Sequence, residues 1–440
     1  MNMRSVLVVP ISPRHAGNGL AHRARFWQRV LAELGDLTTL VVPVAGPFLP
    51  GGDEVEVSPG ADRDTTAVMP YRARQAPRAL GAAWGSKLEA FDVVVGLRSY
   101  LGPFCLGLRD TSTARVVIDL DDDDATFYAS IGQHDEAALF AALVTQMRAQ
   151  ADEVVAAHSF DGITEIPNSV DLGPPHPDQQ REPLMVMVGN FGYDPNVVGA
   201  RWFIDNVVPV VHAAVPDARV VIAGPGSEQF APFGRGFVDD IEALYQLVSV
   251  AVVPVLAGSG TRIKALEAWA HGVPVVGTTV GLSGLAFEDN LHALVADDPA
   301  AFAEAIVQVL TDNSLERRLG DAGRHLVENR YSSAQVGAAA QQLITTVLAR
   351  PTSSRFSHSP HLAVTETHDG LVVVEPVHGR AHHLNSTAAI VFALADGAAS
   401  DEEMSSSVQQ LFSLSEPPRA AVAEAISRLC AEGLLVSNGL

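Results

Sequence analysis

From residue 5 to about residue 166, short apolar β-branched runs alternate with stretches of helical period. Residues 5–10, 39–44, 91–96, 116–120 and 153–157 read as strands, and residues 19–34 and 135–151 as helices. Near-continuous apolar strands separated by helices predict a parallel sheet covered on both faces. Residues 46–76, rich in Pro, Gly and Asp, read as a long loop. The alternation halts at 168–183, a stretch with four prolines and no period, then restarts. Strands are expected at 184–188, 219–223, 250–255 and 274–277, and helices at 196–214, 241–246, 262–271 and 300–310. Each half therefore has its own doubly wound sheet. Such sheets bind ligands in crevices at the carboxyl ends of their strands.

A Ser/Pro-rich stretch, 350–360, ends this pattern, and the last eighty residues differ in style. Residues 361–367, 371–375 and 380–384 read as short strands joined by turns. Helices are expected at 386–395, 401–412 and 417–432, with 434–436 as a closing strand. Asn385 is placed to cap the first helix, Ser400 with Glu403 forms a capping box for the second, and Gly433 stops the third. The expected organisation is two Rossmann-like α/β domains, 1–175 and 184–349, a linker at 350–360, and a small α+β domain at 361–440.

Composition narrows the function classes. Against 29 Lys and Arg stand 51 Asp and Glu, a formal charge of −22, so a phosphate-tracking nucleic-acid surface is not expected. No run of ~18 apolar residues suggests a membrane span. The opening apolar run is too short for a signal peptide, so a cytoplasmic location is expected. Cys105 and Cys430 form no CxxC pair, which argues against a disulfide framework or zinc ribbon.

The densest chemical signal is Pro254-Val-Leu-Ala-Gly258-Ser-Gly260-Thr-Arg262-Ile-Lys264-Ala-Leu-Glu267. A buried strand ends and a glycine-bearing loop opens a helix. Free amides in that first turn attract phosphate. Arg262 and Lys264 sit at the wrong end of the helix dipole for stability, which an anionic ligand explains. Lysine occurs only at 87 and 264. A solvated helix start with a Lys264–Glu267 pair is the plainer alternative. In the first half, Gly17 and Gly19 lie between strand and helix, where they permit backbone approach or simply an ordinary turn. Asp119-Leu-Asp121-Asp-Asp-Asp124 ends a buried strand. These carboxylates need a cation, a donor or solvent, or they are an acidic turn capping the next helix.

The 254–267 stretch resembles the donor-binding signature of GT-B-fold retaining glycosyltransferases of family 4. Met185-Val-Met-Val-Gly189-Asn-Phe-Gly-Tyr-Asp-Pro195-Asn196 and Gly236-Phe-Val-Asp-Asp240 resemble other segments of that donor domain, in the same order. The resemblance spans roughly residues 1–345. It implies a nucleotide-sugar co-substrate, a UDP-sugar being the expected one, with Arg262 and Lys264 on the diphosphate and Glu267 on the ribose. Gly17, Gly19, Asn190, Phe237, Val238, Ser259, Gly260 and Thr261 would complete the donor site. Ser259 stands where many members carry a glutamate; a branch with a Gly-Gly-Gly-Thr-Arg-x-Lys loop is the nearer match. Asp121 occupies the region where members often place a sugar-contacting histidine, so Asp121, Arg262 and Lys264 are the expected catalytic residues. No metal is expected, because the cations and helix amides can neutralise the leaving diphosphate.

Residues 361–437 resemble the PqqD-like domain, a winged-helix-like peptide-recognition element, through Gly379-Arg-Ala-His-His-Leu-Asn385 and Leu429-Cys-Ala-Glu-Gly-Leu-Leu435. That resemblance implies a leader peptide added as a strand beside Arg380, Ala381, His382, His383 and Leu384, against a helix presenting Val422 and Ile426. The combined expectation is a glycosyltransferase acting on Ser, Thr or Cys of a ribosomally made precursor peptide. Two rivals stand beside it: a transferase of small molecules or polysaccharides with a regulatory or carrier-binding third module, and a non-catalytic peptide-binding adapter.

Overall fold

A computed structural model describes residues 3–15, 18–49, 52–60, 69–174, 182–257, 263–350, 355–359, 362–367, 370–375 and 379–437. The first sheet has seven parallel strands, with Met3–Val9 beside Gly35–Val41 on one side and Val93–Leu97 on the other. Outward from Val93–Leu97 come Arg115–Asp119, Glu153–Ala156 and Thr164–Glu165. Strand order therefore reverses at Met3–Val9, which opens a crevice at its carboxyl end. The strands are buried because helices cover both faces. Tyr100, Phe104, Phe140 and Met147 pack on one side, Phe26, Trp27 and Leu31 on the other.

The second sheet is also parallel, in the order Ala293–Val295, Val275–Gly277, Val248–Val253, Glu182–Val188, Arg219–Ala223. Its reversal falls between Glu182–Val188 and Val248–Val253. These are the two strands whose carboxyl ends lead to Asn190 and to Pro254.

Several expectations need correction. The long helix Ser333–Ala349, which follows the second sheet in sequence, packs its Val336, Ala340, Ile344 and Val347 against the first sheet. The 350–360 stretch is not wholly linker, because Arg355–His358 is a strand of the last module, pairing antiparallel with Leu435–Ser437 and Asp396–Ser400. The 46–76 stretch carries a two-residue strand, Val55–Glu56, and the helix Tyr71–Gln75. The expected 196–214 helix starts at Asp194 and contains a π turn at Phe203–Val207.

In the last module a second antiparallel sheet runs Ala363–Thr367, Gly370–Glu375, Arg380–Leu384. The expected caps form: Asn385 accepts from the Ala388 amide, and Ser400 and Glu403 make both halves of a capping box. The core is built from Val373, Leu384, Phe392, Met404, Val422, Ile426 and Leu429. Among the described residues, no helix is long and apolar enough to cross a membrane.

Candidate active site

Where Glu182–Val188 ends, Gly189 and Asn190 turn the chain. The Asn190 side chain accepts from the Gly192 amide at 2.9 Å, and its carbonyl accepts from Asn196 Nδ2 at 2.8 Å. Asn196 in turn receives Lys264 Nζ at 2.7 Å on its Oδ1. A Cβ at Gly189 would lie 3.6 Å from that ammonium. Lys264 is thus held over the first turn of Ile263–Ala270, while Leu266, Trp269 and Ala270 bury the other face.

Glu267 lies one turn further on. Burial pushes its carboxyl up to about 7, opposed by the positive charges of Lys264 and of Arg25 from the first half. The Tyr245 hydroxyl is pushed well above its usual range by burial and by the negative charge of Glu267. Tyr245 stacks on His271 at 4.7 Å, and His271 Nδ1 meets the Glu267 carbonyl at 2.7 Å.

The two halves meet here. A Cβ on Gly19, at the start of the helix Gly19–Leu34, would lie 3.7 Å from Ile263 Cδ1. Asn18 caps that helix through the Ala21 amide at 3.2 Å. Arg25 ties down the preceding loop through the carbonyls of Pro13 and His15, at 2.5 and 3.1 Å.

Phe237 and Val238 follow Gly236, whose left-handed backbone is pinned by hydrogen bonds to Gly224 and Ser227. Gly224 itself lies against the Gly189 carbonyl, which puts this loop at the same sheet edge. The Phe237 ring is 55% exposed and Val238 half-buried. Gly17, Ser259, Gly260, Thr261 and Arg262 lie outside the described residues.

On the facing half, Asp119 is buried and matched by Arg23 at 2.6 Å and by the Trp27 indole at 2.5 Å. Asp121 sits above it, half-buried, with Arg98 at 3.4 Å from its Oδ2. Burial drives the Asp121 carboxyl up to about 6, with Arg98 pulling it back down. His158 Nε2 is 3.9 Å from Asp122, and Gly284 of the second half lies against the His158 Cβ. His158, beside Asp122, therefore meets the second half. Among the described residues, no three His, Cys, Asp or Glu side chains gather as a metal-holding group.

Sequence reasoning passed over Arg98, Asn196 and Arg25. Only Arg98 carried a readable signal, a charge directly after a buried central strand.

In the last module, Arg380, Ala381 and His383 are exposed and Leu384 is buried. His382 bridges Glu375 at 3.3 Å and Glu432 at 3.2 Å. The expectation that Val422 and Ile426 line a peptide groove is not met. They are 0% and 5% exposed, inside the module's own core.

Two parallel doubly wound domains meeting at their carboxyl edges define the GT-B class of glycosyltransferase folds. Superposition agrees: sucrose-phosphate synthase from Thermosynechococcus elongatus matches with a TM-score of 0.60 at 17% identity, over 79% of this chain and 100% of that one. HepE of Anabaena in complex with UDP matches with a TM-score of 0.56 at 12% identity, over 78% and 100%.

Residues 182–312 match the family model described as glycosyl transferases group 1. The curated relatives include the lipopolysaccharide core biosynthesis glycosyltransferase LpsE of Rhizobium meliloti, 35% identical over 83 residues, 18% of this chain and 24% of that protein. Another is an uncharacterized 44.6 kDa protein in the cps region of Klebsiella pneumoniae, 22% identical over 168 residues, 34% of this chain and 43% of that one. The chain spans less than half the length of either relative.

Proposed function

We propose that this protein moves a sugar from a nucleotide sugar to a Ser, Thr or Cys side chain of a ribosomally made precursor peptide, which its last module holds by the leader. The donor half has Lys264 fixed by Asn196, and Glu267 one turn on within the field of Lys264 and of Arg25 from the first half. That pairing suits a diphosphate and a ribose. The UDP complex of HepE, a protein of the same fold, supports a UDP-sugar as donor. In the reaction the anomeric carbon leaves the diphosphate, which keeps the bonding electron pair, and the acceptor oxygen or sulfur takes its place. Lys264, and Arg262 by resemblance, would stabilise the leaving charge. Retention of configuration rests on the family 4 resemblance.

The observation that carries the peptide reading is the strand Arg380–Leu384, which pairs on one side with Gly370–Glu375 and is the edge strand of its three-stranded sheet. Such an edge is a template for a guest strand. A second reading is favoured by the relatives' names: LpsE acts in lipopolysaccharide core biosynthesis, which points to a saccharide acceptor and a regulatory last module.

The test is co-expression with a short precursor peptide encoded beside the gene, followed by intact mass. The expected product is peptide plus one or more sugars, with little on a leaderless version. Unmodified peptide, together with sugar transfer to a saccharide acceptor, would establish the second reading instead.

A further inference from the structure

At the carboxyl edge of the second sheet, one buried amide joins two elements that lie 68 residues apart in the chain. Asn196 sits in the first turn of the helix Asp194–Trp202 and is 8% exposed. Near a helix end, asparagine usually spends its side chain on the backbone of its own turn. Here it reaches partners outside the helix. Its Oδ1 accepts from Lys264 Nζ at 2.7 Å, and its Nδ2 donates to the Asn190 carbonyl at 2.8 Å. The two bonds fix which way round the amide lies, since the reverse would set an amide N–H against an ammonium.

The neighbouring turn fits the same arrangement. The Asn190 side chain accepts from the Gly192 amide at 2.9 Å, which fixes the turn whose carbonyl Asn196 holds. A Cβ on Gly189 would press on Asn196 Nδ2 at 3.2 Å and lie 3.6 Å from the ammonium. Glycine there leaves the amide undisturbed and keeps bulk away from the cation. Lysine and glutamate three residues apart on a helix are placed to pair with each other. Lys264 instead lays its ammonium on Asn196, and Glu267 feels it as a nearby charge. The choice of partner has a consequence. A carboxylate would cancel much of the lysine's charge, whereas an amide oxygen directs the ammonium and leaves that charge in place.

We propose that Asn196 is a positioning residue: its neutral amide draws the Lys264 ammonium away from Glu267 and aims it, with its charge intact, at the diphosphate of the nucleotide sugar. The proposal rests on the donor-site reading of Lys264. Asn196 touches no reacting atom and acts through the lysine. Its second bond ties the ammonium to the Gly189–Asn190 turn, so cation and turn keep one geometry when the donor enters. The same division leaves the Glu267 carboxylate available to a different part of the nucleotide.

The full chain titrated with UDP and with uridine tests this. In Asn196→Ala the affinity for UDP should fall about tenfold or more, the scale of one hydrogen bond to a charged group, while the affinity for uridine keeps its wild-type value. With Lys264→Ala already in place, Asn196→Ala should cost UDP nothing further, because residues that act as one unit are not additive. Asn196→Asp preserves the size of the side chain and an oxygen for the lysine but adds a negative charge. It should weaken UDP at least as much, again sparing uridine, and it decides the matter if the alanine variant fails to fold. Equal losses for UDP and uridine, or the same UDP loss with and without Lys264, would make Asn196 a packing residue and overturn the proposal. Wild-type UDP affinity in the folded variants would overturn it too. A wild-type protein that binds UDP no tighter than uridine would sink the diphosphate reading of Lys264 itself, and this proposal with it.

Discussion

At the scale of single residues, the proposed donor site gives Lys264 and Glu267 different tasks. Lys264 is a point charge steered by Asn196. Replacing it by alanine should lower turnover ~10²-fold or more, the usual effect of losing one contact to developing charge. Arginine should rescue poorly, because a planar fork does not reproduce a compact ammonium. Glu267 behaves differently. Its carboxyl is pushed up to about 7, so the ionised form, which would accept ribose hydroxyls in the proposed site, fills in as pH climbs past neutrality. UDP affinity by calorimetry should therefore strengthen from pH 6 to pH 8 more in the wild type than in Glu267→Gln. Equal pH dependence in the two would take Glu267 out of the ribose site. The lysine was legible because it is one of two in the chain and opens a glycine-bearing helix start. Its partner Asn196 was not, since 68 residues separate them.

At the scale of elements, the last module shows what periodicity can and cannot say. Val422, Ile426 and Leu429 recur at helical spacing, which marks a buried face. It does not say what buries that face, and here the module's own Phe392 and Met404 are among the residues that do. The proposed leader contacts would then fall on the strand Arg380–Leu384 itself, where His382 is held between Glu375 and Glu432. Leader peptide should slow amide hydrogen exchange within 380–384, because a guest strand added to a sheet edge hydrogen-bonds to that strand's backbone. Saturating leader with exchange unchanged there would mean that the peptide docks elsewhere. The same strand was readable in advance from its position after a Gly-containing turn, whereas Arg355–His358 was hidden in a Ser/Pro-rich run because its partners lie at Asp396–Ser400 and Leu435–Ser437.

At the scale of the whole molecule, the helix Ser333–Ala349 returns the chain to the first half. Arg350 then fastens it there, donating to the Asp152 carbonyl at 2.6 Å and pairing with Glu153 at 2.5 Å, while Arg115 donates to the Arg350 carbonyl at 2.5 Å. A chain ending just after Arg350 should fold and bind UDP but lose its preference for leader-bearing peptide. A chain ending at Ser332 should not fold stably. It removes Val336, Ile344 and Val347 from the core, each worth roughly 1.5–3 kcal/mol of burial, against a typical total stability of about 5–15 kcal/mol. Comparing the two melting curves checks this; equal stability would mean the helix contributes little to the first half.

The sequence by itself determined the features that close within a turn or two. These were the buried β-branched strands, the Asn385 cap, the Ser400–Glu403 capping box and the helix that carries Lys264. Each depends on partners a few residues away, so local propensity and hydrogen bonding select it. Only the tertiary structure decided that Arg23 goes to Asp119, that Arg98 is shared by Asp121 and Asp124, and that the helix after the second sheet completes the first. Many apolar stripes and many arginines are interchangeable on paper. Which of them meet depends on how whole faces pack, and that is settled by the summed burial of the assembled core rather than by any short stretch of chain.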